Sequence, residues 1–342
     1  MKKTLLVAAG AALVLSLGLV SGGTAAPRAT FLASLISDVG KFNDKSFNQN
    51  QLAGLTAAHV KLGVSTLPLQ SNSSSDYLPN LTTAVRRGAN IVMAAGFLLA
   101  SDLGKVAAQF PNTDFTITDD SVHGPDFKGV SVKNIEGLTY ASNEAGCLVG
   151  YLAAEMVKKQ GGKQVIGAVG GINIPPVNNY IVGYNYCAKQ FEPSIKVLVG
   201  YSNDFVAQDK CKTVAQNQIS QGSQVEFQVA GLCGLGTLNA AAQAGIWGIG
   251  VDVDQYALAR NVLTSAIKRV DVGIYDAIQQ ARAGKFKGGT DLLFNLNNGG
   301  VGVGKISPKV PASFIASMNA LRLKIMTGKV TVPDCGATSC PV

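Results

Sequence analysis

Seven short apolar runs in this chain end on residues that could meet a ligand. Asp38, Gly96, Asp119 with Asp120, Gly170 with Gly171, Ser202 to Phe205, Ala230 with Gly231, and Asp252 with Asp254 each follow such a run. Carboxylates accept hydrogen bonds from hydroxyl groups, and glycines let backbone amides come close to a bound molecule. A cleft built this way binds a polar small molecule. Covalent or acid–base catalysis has less to draw on, because His59 and His123 stand apart from each other and from any nucleophile pattern. The stretch GLCGLG at 231–236 lacks the GxGxxG spacing of a dinucleotide loop.

Residues at the ends of apolar runs need a sheet to hold them together. From Phe31 onward the runs alternate with longer amphipathic segments, the rhythm of a parallel sheet covered by helices. The pattern predicts strands at 31–37, 64–69, 91–95 and 115–118, helices at 47–62, 77–87 and 101–110, and a short strand at 129–133. It then repeats, with strands at 165–169, 197–200, 225–229 and 248–251 and helices at 177–190, 207–221 and 238–244. The joint is a helical stretch at 139–159 whose Ala, Leu and Gly content suits close packing. Beyond the second half come a crossing strand at 262–269, a helix at 274–283, an extended Gly-rich piece at 291–306 and a helix at 313–327.

The expected fold class is therefore α/β, with two Rossmann-like lobes, each with a parallel sheet, joined by a multi-crossover hinge. Residues 29–139 with about 271–300 form the first lobe, 140–270 with about 301–330 the second, and 331–342 a C-terminal tail. Ligands of such sheets bind outside the carboxyl ends of the strands. Asp44 or Ser46 is a good cap for the helix at 47–62, which leaves Asp38 free for a ligand. Of Asp252 and Asp254, Asp252 stands nearer the strand end and so nearer the cleft.

Residues 1–25 read as a secretion signal, with Lys2 and Lys3, an apolar core and small residues before a cut after Ala25. No Cys stands near that cut to take a lipid, and no later apolar run is long enough to span a bilayer. An exported, periplasmic protein that is not membrane-embedded is expected. The formal net charge of +8 is spread along the chain. Its densest pairs, Arg86–Arg87 and Lys158–Lys159, end amphipathic helices, where cations favour the helix dipole, so nucleic acid is not an expected partner.

Six cysteines in an exported chain invite disulfides. Without a CxxC they form no zinc pattern, and neither a metal nor a cofactor is expected. Cys335 and Cys340 are placed to staple the tail, Cys187 and Cys211 lie in successive helices flanking one strand, and Cys147 and Cys233 read as buried thiols.

Several segments taken together resemble one family, the basic membrane protein, or purine-nucleoside receptor A-like, group of substrate-binding proteins of ABC importers. They are ISDVGKFNDKSFNQ at 36–49, GGINIPPVNNYIVGYN at 170–185, VLVGYSNDF at 197–205, FQVAGLCGLG at 227–236, GIGVDVDQ at 248–255, VLTSAIKRVDVGIYDAI at 262–278 and KFKGG at 285–289. The resemblance implies a type I periplasmic-binding-protein fold and a binding protein rather than an enzyme. It closes on a purine nucleoside, guanosine, adenosine or inosine, and delivers it to a membrane permease.

By motif position, the resemblance implies that Phe47 stacks on the base with Phe205 as second aromatic, and that Asp38 and Asn48 face the ligand. It gives Asp252 and Lys268 to the ribose hydroxyls, with Asp119 or Asp120 as a further acid, and the strand-end glycines Gly96 and Gly231 are where backbone can approach closely. Asn43, Asn48 and Asn178 are candidates for the base edge. A nucleotide phosphate would be repelled by Asp38, Asp119, Asp120 and Asp252. Cys233 stands where a small residue is expected. A monomer is expected, and the alternatives are a sugar or another small polar metabolite or signal as ligand, or a nucleoside hydrolase.

Overall fold

The computed structural model describes Met1 and residues 31–335; residues 2–25 of the expected signal, the cut after Ala25 and Cys340 lie outside them. The first half runs β1 (Leu32–Ile36), α1 (Phe47–Leu62), β2 (Ser65–Leu69), α2 (Tyr77–Arg86), β3 (Ile91–Ala94), α3 (Ala100–Gln109), β4 (Asp114–Thr118) and β5 (Ile135–Tyr140). The second runs α4 (Ser142–Gln160), β6 (Val165–Gly170), α5 (Pro175–Phe191), β7 (Lys196–Tyr201), α6 (Gln208–Ser220), β8 (Val225–Val229), α7 (Gly234–Gln243), β9 (Trp247–Asp252) and β10 (Val262–Lys268). The chain ends with α8 (Val270–Arg282), β11 (Thr290–Phe294), β12 (Val301–Val303) and α9 (Ala312–Met326).

One sheet has the order β2-β1-β3-β4-β5-β11 and the other β7-β6-β8-β9-β10-β12. The two orders are equivalent. Every pairing is parallel except β12 against β10. Helices on both faces explain why β3 and β8 are buried at every residue, as parallel strands require. The chain passes between the sheets three times, from β5 to α4, from β10 to α8 and from β11 to β12. The segment at 262–269 does not itself cross: β10 lies in the second sheet beside β9, and the crossing follows it.

The predicted strand at 129–133 is a loop, and the strand is β5, six residues later. Gly129 turns the chain at φ 80°, Val130 packs on Gly104 of α3, and the Asn134 amide donates to the carbonyls of Ala107, Phe110 and Thr113. The alternating valines thus serve packing against α3. The joint helix starts at Ser142 because residues 139 and 140 still belong to β5.

Two disulfides correct the cysteine pairing. Cys147 joins Cys187, and Cys211 joins Cys233. Cys187 and Cys211 are therefore not partners, and Cys147 and Cys233 are not free thiols. The first bond ties α4 to α5, whose backbones touch: a Cβ at Gly146, Gly150 or Gly183 would strike a carbonyl of the facing helix. No helix among the described residues is long and apolar enough to cross a membrane.

Candidate functional site

Between the two sheets lies a cavity with about 570 Å³ of empty space, counting the part that opens to solvent. Asp38, Phe47, Asn48, Gly96, Asp119, Phe205, Gly231, Asp252 and Lys268 all line it.

The wall from the first sheet is set by the turn between β1 and α1. Ser46 is the helix N-cap residue, yet the capping carboxylate is that of Asp44, which accepts the backbone N–H groups of Ser46, Asn48 and Gln49 at 2.8–3.0 Å. Four N–H groups at a helix start lack partners within the helix, so a buried carboxylate there is stabilising. Asn48 spends its amide within this turn: it donates to Asp38 Oδ1 at 2.7 Å and to Asp44 Oδ2 at 3.1 Å, and accepts the Asp38 N–H at 3.2 Å. It positions Asp38. Burial, only partly offset by the Gly40 N–H and Asn48, pushes the Asp38 carboxyl up to about 7. Gly96, at φ 116°, leaves room for the Phe47 ring, which would stand 3.1 Å from a Cβ there.

The facing wall comes from the loops after β7 and β8. Asp204 accepts the N–H groups of Val206 and Ala207 at 2.7 and 2.9 Å and pairs with Lys210 at 2.8 Å, which fixes the turn that carries Phe205. The Phe205 carbonyl accepts the Cys233 N–H at 3.0 Å, and the Cys211–Cys233 disulfide joins that loop to α6. Gly231, at φ 55°, faces the same carbonyl.

Between the walls stands a buried row of three charges. The Lys268 ammonium lies 2.5 Å from Asp119 Oδ2 and 3.7 Å from Asp252 Oδ1. Burial would lower the lysine pKa, and the two carboxylates outweigh it, so the ammonium is held above its ordinary range. Rings surround it, with centroids at 4.6 Å for Phe47, 5.4 Å for Tyr180 and 5.8 Å for Tyr140. Asp252 also accepts the Ser46 hydroxyl at 2.6 Å and the Tyr180 hydroxyl at 3.2 Å. The Ser46, Asp119 and Gln255–Lys45 bonds all bridge the two lobes. Two acids against one lysine leave a net negative site rich in acceptors.

Three expected residues lie elsewhere. Asn43 is exposed and outside the cavity lining. Asn178 is buried on α5, donating to Asn173 and accepting the Tyr201 hydroxyl at 2.7 Å each. Asp120 lines a neighbouring cavity instead. Asp254 turns away to the backbone N–H groups of Tyr256 and Lys305. Sequence reasoning misses Tyr180, Pro176 and Val177, although all three fall in the segment INIPPVNNYIVGYN, and it gives no role to the Asp44 cap beyond starting a helix. Among the described residues no group of His, Cys, Asp and Glu side chains converges to hold a metal ion.

Comparison with known proteins agrees with this architecture. The chain is 31% identical over 336 residues to the ABC transporter nucleoside-binding protein BmpA of Lactococcus lactis, covering 92% of each. It is 30% identical over 326 residues to the CD4+ T-cell-stimulating antigen of Listeria monocytogenes, covering 89% of this chain and 88% of that one. The crystal structure of an ABC transporter solute-binding protein from Aeropyrum pernix superimposes with a TM-score of 0.78 at 24% identity, over 89% of this chain and 94% of that one, a likeness of fold. The model of the family described as ABC transporter substrate-binding protein PnrA-like matches residues 32–335. With a two-lobed fold, a cleft at the strand ends and a family match along nearly all of the described chain, this protein belongs to the PnrA-like ABC transporter substrate-binding proteins, a family of binding proteins rather than enzymes.

Proposed function

We propose that the protein captures a purine nucleoside outside the cytoplasm, in the cavity between its lobes, and hands it to a membrane permease. The observation that carries this reading is that one cavity is lined by a phenylalanine from each lobe and by the Asp119–Lys268–Asp252 row. A purine offers a flat face to Phe47 and Phe205, and stacking contributes about 0.5–1.5 kcal/mol beyond area burial. Ribose hydroxyls donate to the two carboxylates and accept from Lys268. Asp38, whose Oδ1 is held by Gly40 and Asn48, offers its other oxygen to the base edge. The similarity to the nucleoside-binding protein BmpA of Lactococcus lactis supports the same ligand class. Bonds that bridge the lobes, Ser46 to Asp252 and Lys268 to Asp119, would favour the closed form around a ligand.

A thermal-shift panel tests the reading. Adenosine, guanosine or inosine should raise the melting temperature through linkage, and Phe47→Ala should remove most of the shift. A shift with sugars and none with nucleosides would replace this reading with a sugar-binding one. Free base appearing during overnight incubation with inosine would instead show a nucleosidase.

A further inference from the structure

Phe47 and Phe205 each lie against a strand-end glycine, and the two glycines are there for different reasons. Gly96 follows β3 at φ 116°, a backbone that residues with a side chain rarely adopt, and a Cβ on it would stand 3.1 Å from Cε1 of Phe47. Gly171 follows β6 with φ outside the left-handed region, so its φ does not call for glycine. Space does. A Cβ there would strike Cδ1 and Cε1 of the Phe205 ring and stand 3.2 Å from the Asp204 carbonyl oxygen. One residue earlier the same holds for another ring, since a Cβ on Gly170 would lie 2.6 Å from Cδ1 and Cε1 of Tyr201.

The main chain on both sides of the Gly171–Phe205 contact is tied. The Gly171 N–H donates to the Val229 carbonyl of β8 at 3.0 Å, and the Gly171 carbonyl accepts the Asp204 N–H and the Ser202 hydroxyl at 3.3 Å each. The Phe205 carbonyl accepts the Cys233 N–H, and the Asp204 carboxylate holds the N–H groups of Val206 and Ala207. Atoms added at 171 are therefore accommodated by the side-chain torsions of Phe205, which move its ring. Stacking depends on ring placement, so a displaced ring forfeits it.

We infer that Gly171 is a positioning residue: it seats the Phe205 ring against the end of β6 and so sets the wall on which a flat base stacks. Gly171 is outside the cavity lining and Phe205 is part of it, so the glycine acts through the ring. This rests on the nucleoside reading above, which gives Phe205 a base to stack on.

Calorimetric titration with inosine tests it on the wild type, Gly171→Ala, Phe205→Ala and the double variant. Gly171→Ala should bind inosine at least about threefold more weakly than the wild type, the worth of one lost stacking contact. In the Phe205→Ala background the same substitution should change affinity by less than about twofold, because neighbours that act through one contact are not additive. No loss in Gly171→Ala, or an equal loss in both backgrounds, would overturn the inference. A crystal structure of Gly171→Ala should show the Phe205 ring turned from its seat with the backbone at 171 in place; a ring in place beside a shifted backbone would overturn it too. Should Gly171→Ala not fold, the double variant, which has no ring to strike, should fold as stably as Phe205→Ala, and its failure to do so would overturn the inference. A wild type that does not bind inosine would refute the nucleoside reading, while the ring position in the Gly171→Ala structure would still decide whether Gly171 is its seat.

Discussion

The two lobes repeat one another at their strand ends and part at their aromatic walls. β4 and β9 hold the same place in their sheets, and an aspartate with left-handed backbone stands at the end of each, Asp119 just after β4 at φ 65° and Asp252 as the last residue of β9 at φ 63°. Such a φ is uncommon outside glycine, though Asp tolerates it better than most, and here it follows the strand at a position facing the cleft. β3 and β8 are equivalent too, and Gly96 and Gly231 follow them with φ 116° and 55°. Both aspartates meet the one lysine, Lys268.

The rings are held differently. Phe47 opens the helix after β1 and depends on the Asp44–Asn48–Asp38 hydrogen bonds, whereas Phe205 sits in the loop after β7 beside a disulfide. A shared strand order thus dictates where acids and glycines can reach the ligand, while each ring is secured by whatever chemistry its own loop supplies.

Removing those supports should break the two walls separately. Replacing both Cys211 and Cys233 by Ser opens a loop with a sequence separation of 22 residues. Denaturant unfolding should then show a loss of about 3 kcal/mol. Asp44→Ala strands three backbone N–H groups and the Asn48 amide. It should cost about 2 kcal/mol by the same measurement, and it should also weaken nucleoside binding because Asp38 loses its support.

Direct truncation of the rings comes next. Phe47→Ala should weaken nucleoside binding by about 10- to 100-fold, and Phe205→Ala by less, since Phe47 also packs on the Lys268 ammonium. Equal losses in a calorimetric comparison would remove the asymmetry between the walls.

The smallest effect concerns pH. Each lobe buries a glutamate in its sheet, Glu136 on β5 and Glu226 on β8, and burial pushes their carboxyls up to about 7 and about 8. A folded state that keeps a proton which the unfolded chain has released loses stability as pH rises. The window runs from the ordinary glutamate range, about pH 4.5, up to about pH 8, so the melting temperature should be higher at pH 5 than at pH 8. Glu226→Gln should flatten the upper part of that slope, raising the melting temperature at pH 8 by about 2–4 °C with little change at pH 5. A slope left unchanged by Glu226→Gln would place the titrating group elsewhere.

Much of this fold is legible along the chain because the local signals agree with one another. The predicted helix at 47–62 matches α1 residue for residue, since Asp44 and Gly63 punctuate its two ends. The strand-end acids are legible too, because a parallel sheet turns every apolar run into an address at one edge of the cleft. The loop at 129–133 reads falsely as a strand, its alternating valines being used against α3. Cysteine pairing is not legible, because which helices touch depends on glycines that let α4 and α5 meet backbone to backbone. The surroundings of Lys268 escape for a related reason: Phe47, Tyr140 and Tyr180 come from segments far apart in sequence. Asn48 shows a subtler miss, since a motif position beside the ligand does not reveal that its amide is already used to hold Asp38.

The most direct test of the central claim is a crystal structure of the protein grown with inosine. The base should lie against Phe47 and Phe205, with ribose hydroxyls within hydrogen-bond distance of Asp252, Asp119 and Lys268. Inosine absent from the cleft, or bound with its sugar against the phenylalanines and its base at the charged row, would contradict it.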